Sequence, residues 1–347
     1  MNYIGSKFSL IDFLNTTINT ILQKSQENRQ TNEMIFADLF AGTGIVGATF
    51  KQQGYTVLAN DIQYYSYILI KHFIENGNNL NTDHCTQLIK ELNQVPLRDG
   101  FIYNNYTYSG TNEQEYRRTY FSEYNAKKCD AIRLKIDEWL HNNYINEYEY
   151  YFLLASLLNS IDKHANTASV YGAYLKKLKK SAQKEMELTP LPIITGSENC
   201  HVHNTDITLL IKEISGDILY LDPPYNTRQY CTNYHLLETI ARYDNPTIKG
   251  KTGLRDYSSQ KSIFCIKNKV ATAFEEIIKN AKFKYIFLSY NNEGLMSFDT
   301  IENIMKKYGK YEVYSTEYHR FKADSKREQK ANSTFEYLHC LVKNDYE

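Results

Sequence analysis

The run Asp217-Ile-Leu-Tyr-Leu221 leads straight into Asp222-Pro223-Pro224-Tyr225, and that junction constrains the fold more than anything else in the chain. The apolar run reads as a buried strand of a parallel sheet. Two consecutive prolines cannot continue a ladder, so the strand ends there. A carboxylate is thereby held at the carboxyl end of a strand, where open α/β sheets place their sites. An aromatic face follows at once in Tyr225. A rigid acceptor beside a flat stacking surface suits a planar ring that bears an amino group. The plainer alternative is a strand-to-turn exit punctuated by prolines.

The rest of the chain supplies the sheet around this strand. Residues 1–75 read helix, strand, Gly-rich turn, helix, strand, helix, with strands at Met34–Ala37 and Tyr55–Ala59. That is half of a doubly wound unit. Residues 76–195 lose the rhythm and show helical periodicity at Thr86–Leu92, Asn125–Leu140 and Glu147–Ile161. A Tyr- and Asn-rich segment, Phe101–Gly110, is expected as a loop within this zone. Residues 196–347 resume strand–helix alternation and close with two strands, Glu312–Tyr318 and Phe335–Val342, that have no good helix between them. The expected fold is α/β: a Rossmann-like sheet, mostly parallel with an antiparallel C-terminal finish, interrupted by a mainly helical insertion.

Asp38-Leu-Phe40-Ala41-Gly42-Thr43-Gly44-Ile-Val-Gly47 sits between the first strand and its helix. Glycines there let the backbone turn tightly and approach a ligand. Asp61, followed by Ile62, stands at the end of the next strand, where an acid can accept hydrogen bonds from ribose hydroxyls. By itself this pattern leaves a dinucleotide and another adenosine-bearing cofactor both open.

Together with Asp222-Pro-Pro-Tyr225, the sequence resembles the amino-group DNA methyltransferases, specifically the adenine-N6 family that uses S-adenosylmethionine. Phe40-Ala-Gly-Thr-Gly44 matches that family's F-x-G-x-G loop. Tyr3-Ile4-Gly5-Ser-Lys7 resembles the motif whose aromatic and lysine flank the methionine end of the cofactor. Asn204-Thr-Asp206-Ile207 resembles the element that contacts the cofactor adenine. The motif order, with the insertion between the glycine loop and Asp222, looks like the alpha arrangement, in which the insertion recognises the target. The resemblance implies S-adenosyl-L-methionine as cofactor. It assigns cofactor contacts to Tyr3, Ile4, Gly5, Lys7, Asp38, Phe40, Ala41, Gly42, Thr43, Gly44, Asp61, Ile62, Asp206, Ile207 and Asp222. It assigns catalysis to Asp222, Pro223, Pro224 and Tyr225. In that family a leading Asp goes mainly with adenine and Ser with cytosine N4. Double-stranded DNA is the implied substrate, and a restriction–modification setting would add a cognate endonuclease.

Net charge is zero, with 40 Lys+Arg against 40 Asp+Glu, so local patches must carry any phosphate binding. Arg228, Lys176, Lys177, Lys251 and Arg255 are the candidates for DNA contact; Tyr318-His-Arg320 and Lys326-Arg327 adjoin a polar loop that could also reach it. Six scattered cysteines without a Cys-x-x-Cys pair argue against a metal site and for a reducing, cytoplasmic setting. No apolar run is long enough to span a bilayer. An RNA adenine methyltransferase with similar chemistry is one alternative, and a nicotinamide-dependent oxidoreductase, which the glycine pattern alone permits, is another.

Overall fold

The computed structural model describes residues 5–319 and 333–346. The chain forms two compact units. One comprises Gly5–Glu75, Ile194–Gln229 and Gln260–Glu347; the other contains Asn76–Ile193 and Tyr230–Ser259. Tyr230–Ser259, which the sequence reading kept with the C-terminal half, thus packs with the helical insertion.

The first unit is built on a seven-stranded sheet. Its strands are β1 (Ile35–Asp38), β2 (Thr56–Asn60), β3 (His201–His203), β4 (Ser215–Leu221), β5 (Lys282–Asn291), β6 (Gly309–His319) and β7 (Ser333–Lys343). Their order is β3-β2-β1-β4-β5-β7-β6. The five strands from β3 to β5 run parallel, and β7 pairs antiparallel with both β5 and β6. The sheet is therefore the α/β arrangement expected, with β7 reversed against both of its neighbours.

Residue alternation explains why both faces are covered. Phe36, Ile218, Tyr220, Tyr285 and Phe287 join one buried cluster with Leu14, Ile18, Val46 and Phe50 of two helices. Their neighbours Ala37, Leu219, Leu221, Ile286 and Leu288 join the other, with Phe274, Ile277 and Ile304. A strand buried on both sides reads as a continuous apolar run, as Ile218–Leu221 does. Full burial of each large side chain contributes about 1.5–3 kcal/mol, enough to hold the strand ends in fixed positions.

Strand order reverses between β1 and β4. The chain leaves β1 toward β2 on one side, and β4 extends the sheet on the other. Asp38 and Asp222 stand at the carboxyl ends of these two neighbours, at the switch point where such sheets bind ligands.

The second unit is mainly helical. Glu123–His141 is capped by Ser122, whose side chain accepts from the Asn125 amide, and Glu147–Lys163 opens with an Asn146–Glu149 capping box. Arg133, 2% exposed, donates to the carbonyls of Ile240 and Ala241, at 2.9 and 3.0 Å. It thereby satisfies the end of the His235–Arg242 helix. Phe101–Gly110 is not wholly a loop: Phe101–Tyr106 is helical. Asp130 explains the difference. Its carboxylate accepts from the amides of Ile102 and Tyr103 at 2.9 and 2.8 Å, a cap supplied from a helix distant in sequence. No helix among the described residues is long and apolar enough to cross a membrane.

Candidate active site

The glycine turn is shaped by its own backbone and by two acids. Gly42 and Gly44 have φ of +53° and +79°, and Gly44 caps the helix Ile45–Gln52. A side chain at Gly44 would sit in the left-handed region and meet Ile70 at 3.0 Å. Asp61 accepts from the Gly42 amide through Oδ2 (2.9 Å) and from the Gln63 amide through Oδ1 (2.8 Å). Asp38 accepts from the Gly47 amide at 3.2 Å, while its Oδ1 is buried without a partner. Burial, with Asp222 and Asp61 nearby, raises the Asp38 pKa to about 8.

Asn60 ties the strand ends together. It is 1% exposed, donates to the carbonyls of Leu39 and Thr205, and accepts from the Thr205 amide. This aligns the segment holding Asp206 with the glycine turn. Asp206 itself caps the short turn Ile207–Leu210, accepting from the Thr208 amide and hydroxyl at 2.8 and 2.7 Å. Ile207 is buried and Ile62 half-buried, while Phe40 packs edge-on against Phe264 at 5.1 Å between centroids.

Four polar groups meet at Asp222. Lys7 Nζ lies 2.9 Å from Asp222 Oδ1, 3.1 Å from Glu336 Oε1 and 2.8 Å from the Tyr225 hydroxyl oxygen. The Tyr225 hydroxyl is 2.8 Å from Asp222 Oδ1 and 2.5 Å from Glu336 Oε1. Burial opposes the charge on Lys7, but the two carboxylates outweigh it and hold its pKa above the ordinary lysine value. Burial raises the Asp222 pKa, Lys7 pulls it back, and Glu336 adds to the rise. The Tyr225 ring leans on Tyr290, 4.8 Å between centroids, and its carbonyl accepts from the Leu295 amide at 3.0 Å. Ser289 is fully buried and accepts from the Tyr220 hydroxyl.

The sheet unit thus brings together Lys7, Asp38, the glycine turn, Asp61, Asp206 and Asp222–Tyr225. Gly5 is exposed in a left-handed turn just before Lys7. Tyr3, Ile4, Arg320, Lys326 and Arg327 lie outside the described residues.

This geometry offers a buried acceptor pair, an aromatic face and a glycine turn at one switch point. The chain matches the model of the D12 class N6 adenine-specific DNA methyltransferases across residues 3–313. It belongs to that family. Membership decides the reaction: the enzyme methylates the N6 amine of adenine in DNA. Among relatives of this methyltransferase, the Type II methyltransferase M.NlaIII of Neisseria lactamica is 52% identical over 345 residues, covering 99% of both chains. The Type II methyltransferase M.CviAII of Paramecium bursaria Chlorella virus 1 is 37% identical over 328 residues, covering 93% of each. The Type II methyltransferase M.FokI of Planomicrobium okeanokoites is 40% identical over 351 residues; the methyltransferase described here spans 53% of that longer protein.

Of the methyltransferase's candidate DNA contacts, Arg228, Lys176, Lys177 and Lys251 are exposed. Lys251 tips a turn whose backbone is pinned by Arg118, which donates to the carbonyls of Lys251 and Gly250 at 3.2 and 3.0 Å. Arg255 is different. It is 9% exposed and forms a two-point pair with Asp244 at 3.0 and 2.7 Å. Both terminal nitrogens of its guanidinium are held by Asp244 and its Nε is buried, so its expected phosphate contact is withdrawn. Sequence reasoning missed Glu336 and Asn60. A lone acid within the strand Phe335-Glu-Tyr-Leu-His is a usable signal only once that strand is known to be internal.

Proposed function

We propose that this methyltransferase takes S-adenosyl-L-methionine as its methyl donor and acts on an adenine turned out of duplex DNA. The observation that carries the reading is the state of Asp222. One carboxylate oxygen is held by Lys7 and Tyr225, the other has no partner among the described residues, and the side chain keeps 16% of its surface exposed. An anchored carboxylate with one free oxygen is a preorganised acceptor.

The residues present suit the proposed cofactor. The glycine turn leaves backbone open to close approach, Asp61 and Asp206 are only partly buried, and the orphaned Asp38 oxygen calls for a donor or a cation. Asp222 and Glu336 together exceed the single charge of Lys7, so the site favours a cationic ligand. When bound, S-adenosylmethionine supplies a methyl group made electrophilic by its sulfonium.

The chain's own residues handle the amine. Its lone pair is delocalised into the purine ring, which makes it a poor nucleophile. Asp222 and the Pro223 carbonyl each accept one N–H, favouring a pyramidal nitrogen whose lone pair is freed for attack. Charge-assisted hydrogen bonds of this kind are the strong ones. Pro223 and Pro224 fix the backbone so that positioning costs little at the moment of reaction. Tyr225 offers its ring to the purine, worth about 1–3 kcal/mol by analogy with single-strand binding. A base within the duplex cannot reach a pocket at a strand end, hence the extrusion.

The helical unit supplies target recognition in this reading, with Lys176, Lys177 and Lys251 as phosphate contacts and Arg228 beside Tyr225 in sequence. Relatives named as Type II methyltransferases support a restriction–modification role beside a cognate endonuclease. Six free, buried thiols suit a reducing cytoplasm. The test is methylation of duplex DNA by wild type and Asp222→Asn, with cofactor binding followed by calorimetry. The variant is expected to bind cofactor and lose transfer by at least about 1000-fold; near-normal turnover overturns the role of Asp222.

A further inference from the structure

Glu336 occupies an inward position of β7, opposite Asn291 of β5 and Thr316 of β6, and is 3% exposed. A carboxylate buried in a sheet is costly unless charged or hydrogen-bonded partners meet it. Both partners of Glu336 belong to the candidate site: Lys7 at 3.1 Å and the Tyr225 hydroxyl at 2.5 Å. These are the two groups that also hold Asp222 Oδ1. The Tyr225 hydroxyl has one proton and two carboxylates within reach, so it serves one of them at a time.

We propose that Glu336 is a positioning residue for Asp222, drawing the Lys7 ammonium and the Tyr225 proton toward itself so that Asp222 stays a strong acceptor for the adenine amine. The inference rests on the role given to Asp222 above. Without the second carboxylate, Lys7 and Tyr225 serve Asp222 alone. Its charge is then spent on internal donors and less remains for substrate. A carboxylate at position 336 divides the two donors, and its negative charge makes Asp222 more basic. Asp38 and Tyr220 also face Asp222, and both are the same in every Glu336 variant compared with wild type.

A merely structural counter-ion predicts something different. Losing it loosens Lys7 and lowers stability, and turnover falls by the same factor at every pH. The positioning role predicts a factor that changes with pH. Glu336→Gln keeps the size of the side chain and an acceptor for Tyr225 but removes the charge. Asp222 then holds its proton less tightly, so the acid limb of the rate profile moves to lower pH.

The experiment is single-turnover methylation of duplex DNA at saturating S-adenosylmethionine from pH 5 to 9. Wild type, Glu336→Gln, Glu336→Asp and Asp222→Asn are compared, with calorimetric cofactor binding and melting temperatures alongside. Glu336→Gln loses one of the two charges that favour a cationic ligand, so it is expected to bind cofactor more weakly than wild type and, with cofactor saturating, to lose about 10- to 100-fold in rate at pH 8. That deficit shrinks toward pH 5. Glu336→Asp keeps the charge but withdraws it by one methylene, so a smaller loss with a smaller shift in the same direction is expected; it serves equally if the glutamine variant does not fold. A pH-independent loss, or wild-type rates, in either folded variant overturns the proposal provided Asp222→Asn is inactive. An active Asp222→Asn instead overturns the underlying role of Asp222.

Discussion

Replacing Asp38 by Asn isolates the electrostatic cost of an acid at the switch point. Asp38 is 1% exposed, its only described hydrogen-bond donors are backbone amides, and one oxygen has none. Its pKa rises from 3.8 to about 8 on folding, chiefly through burial and then through Asp222. The sign follows from proton counts. Between those two values the folded chain holds a proton on Asp38 that the unfolded chain has released, so stability falls as pH rises. Each pH unit in that window costs about 1.4 kcal/mol. From pH 5 to 8 the cost therefore grows by about 3–4 kcal/mol; below pH 4 it vanishes. Asn keeps the shape and an acceptor for the Gly47 amide without the ionisation. The cofactor-free variant is expected to gain on wild type steadily from pH 5 to 8. For a chain of this size the gap in melting temperature should widen by about 3–6 °C. Scanning calorimetry of both proteins in matched buffers cancels the other titrating groups. A gap that stays constant or narrows refutes the reasoning, because Asp38 would then be ionised in the fold with the turn amides carrying its charge.

Tyr225→Ala is expected to reduce methyl transfer more than Tyr225→Phe, and the Phe variant is expected to fall below wild type, since its lost hydroxyl bridges Asp222 and Glu336; steady-state rates on one duplex decide both. Lys176→Ala combined with Lys177→Ala should weaken DNA binding at low salt and flatten the log–log salt dependence by about 2 in slope. Arg255→Ala should leave that slope unchanged while lowering the melting temperature through loss of the Asp244 pair; a flattened slope in that variant restores Arg255 as a phosphate contact. Asp130→Ala removes the cap of Phe101–Tyr106 and the acceptor of the Tyr243 hydroxyl, and denaturant unfolding should show a loss of about 2–4 kcal/mol.

Much of the sheet was legible because its signals are local. Ile218–Leu221 is apolar on both parities and stops at two prolines, so its burial and its end are written in one short segment. The same holds for the glycine turn after β1 and for the two final strands. Boundaries were less legible: β5 runs from Lys282 to Asn291, beyond its apolar centre Tyr285–Leu288. There, pairing with β4 and β7 sustains extended backbone that local composition does not demand.

What the sequence determined alone was the periodicity, the chain-breaking residues and the order of the motifs, because these act over a few residues. The tertiary structure alone decided which distant side chains share an environment. Asp130 makes a helix of Phe101–Tyr106 from 24 residues beyond its end. Asp244 claims Arg255 before any phosphate can. Glu336, an unremarked acid in the last strand, faces Lys7 because β7 inserts between β5 and β6. Hydrogen bonds and charges act over a few ångströms in space, and only the folded path of the chain sets which residues come that close.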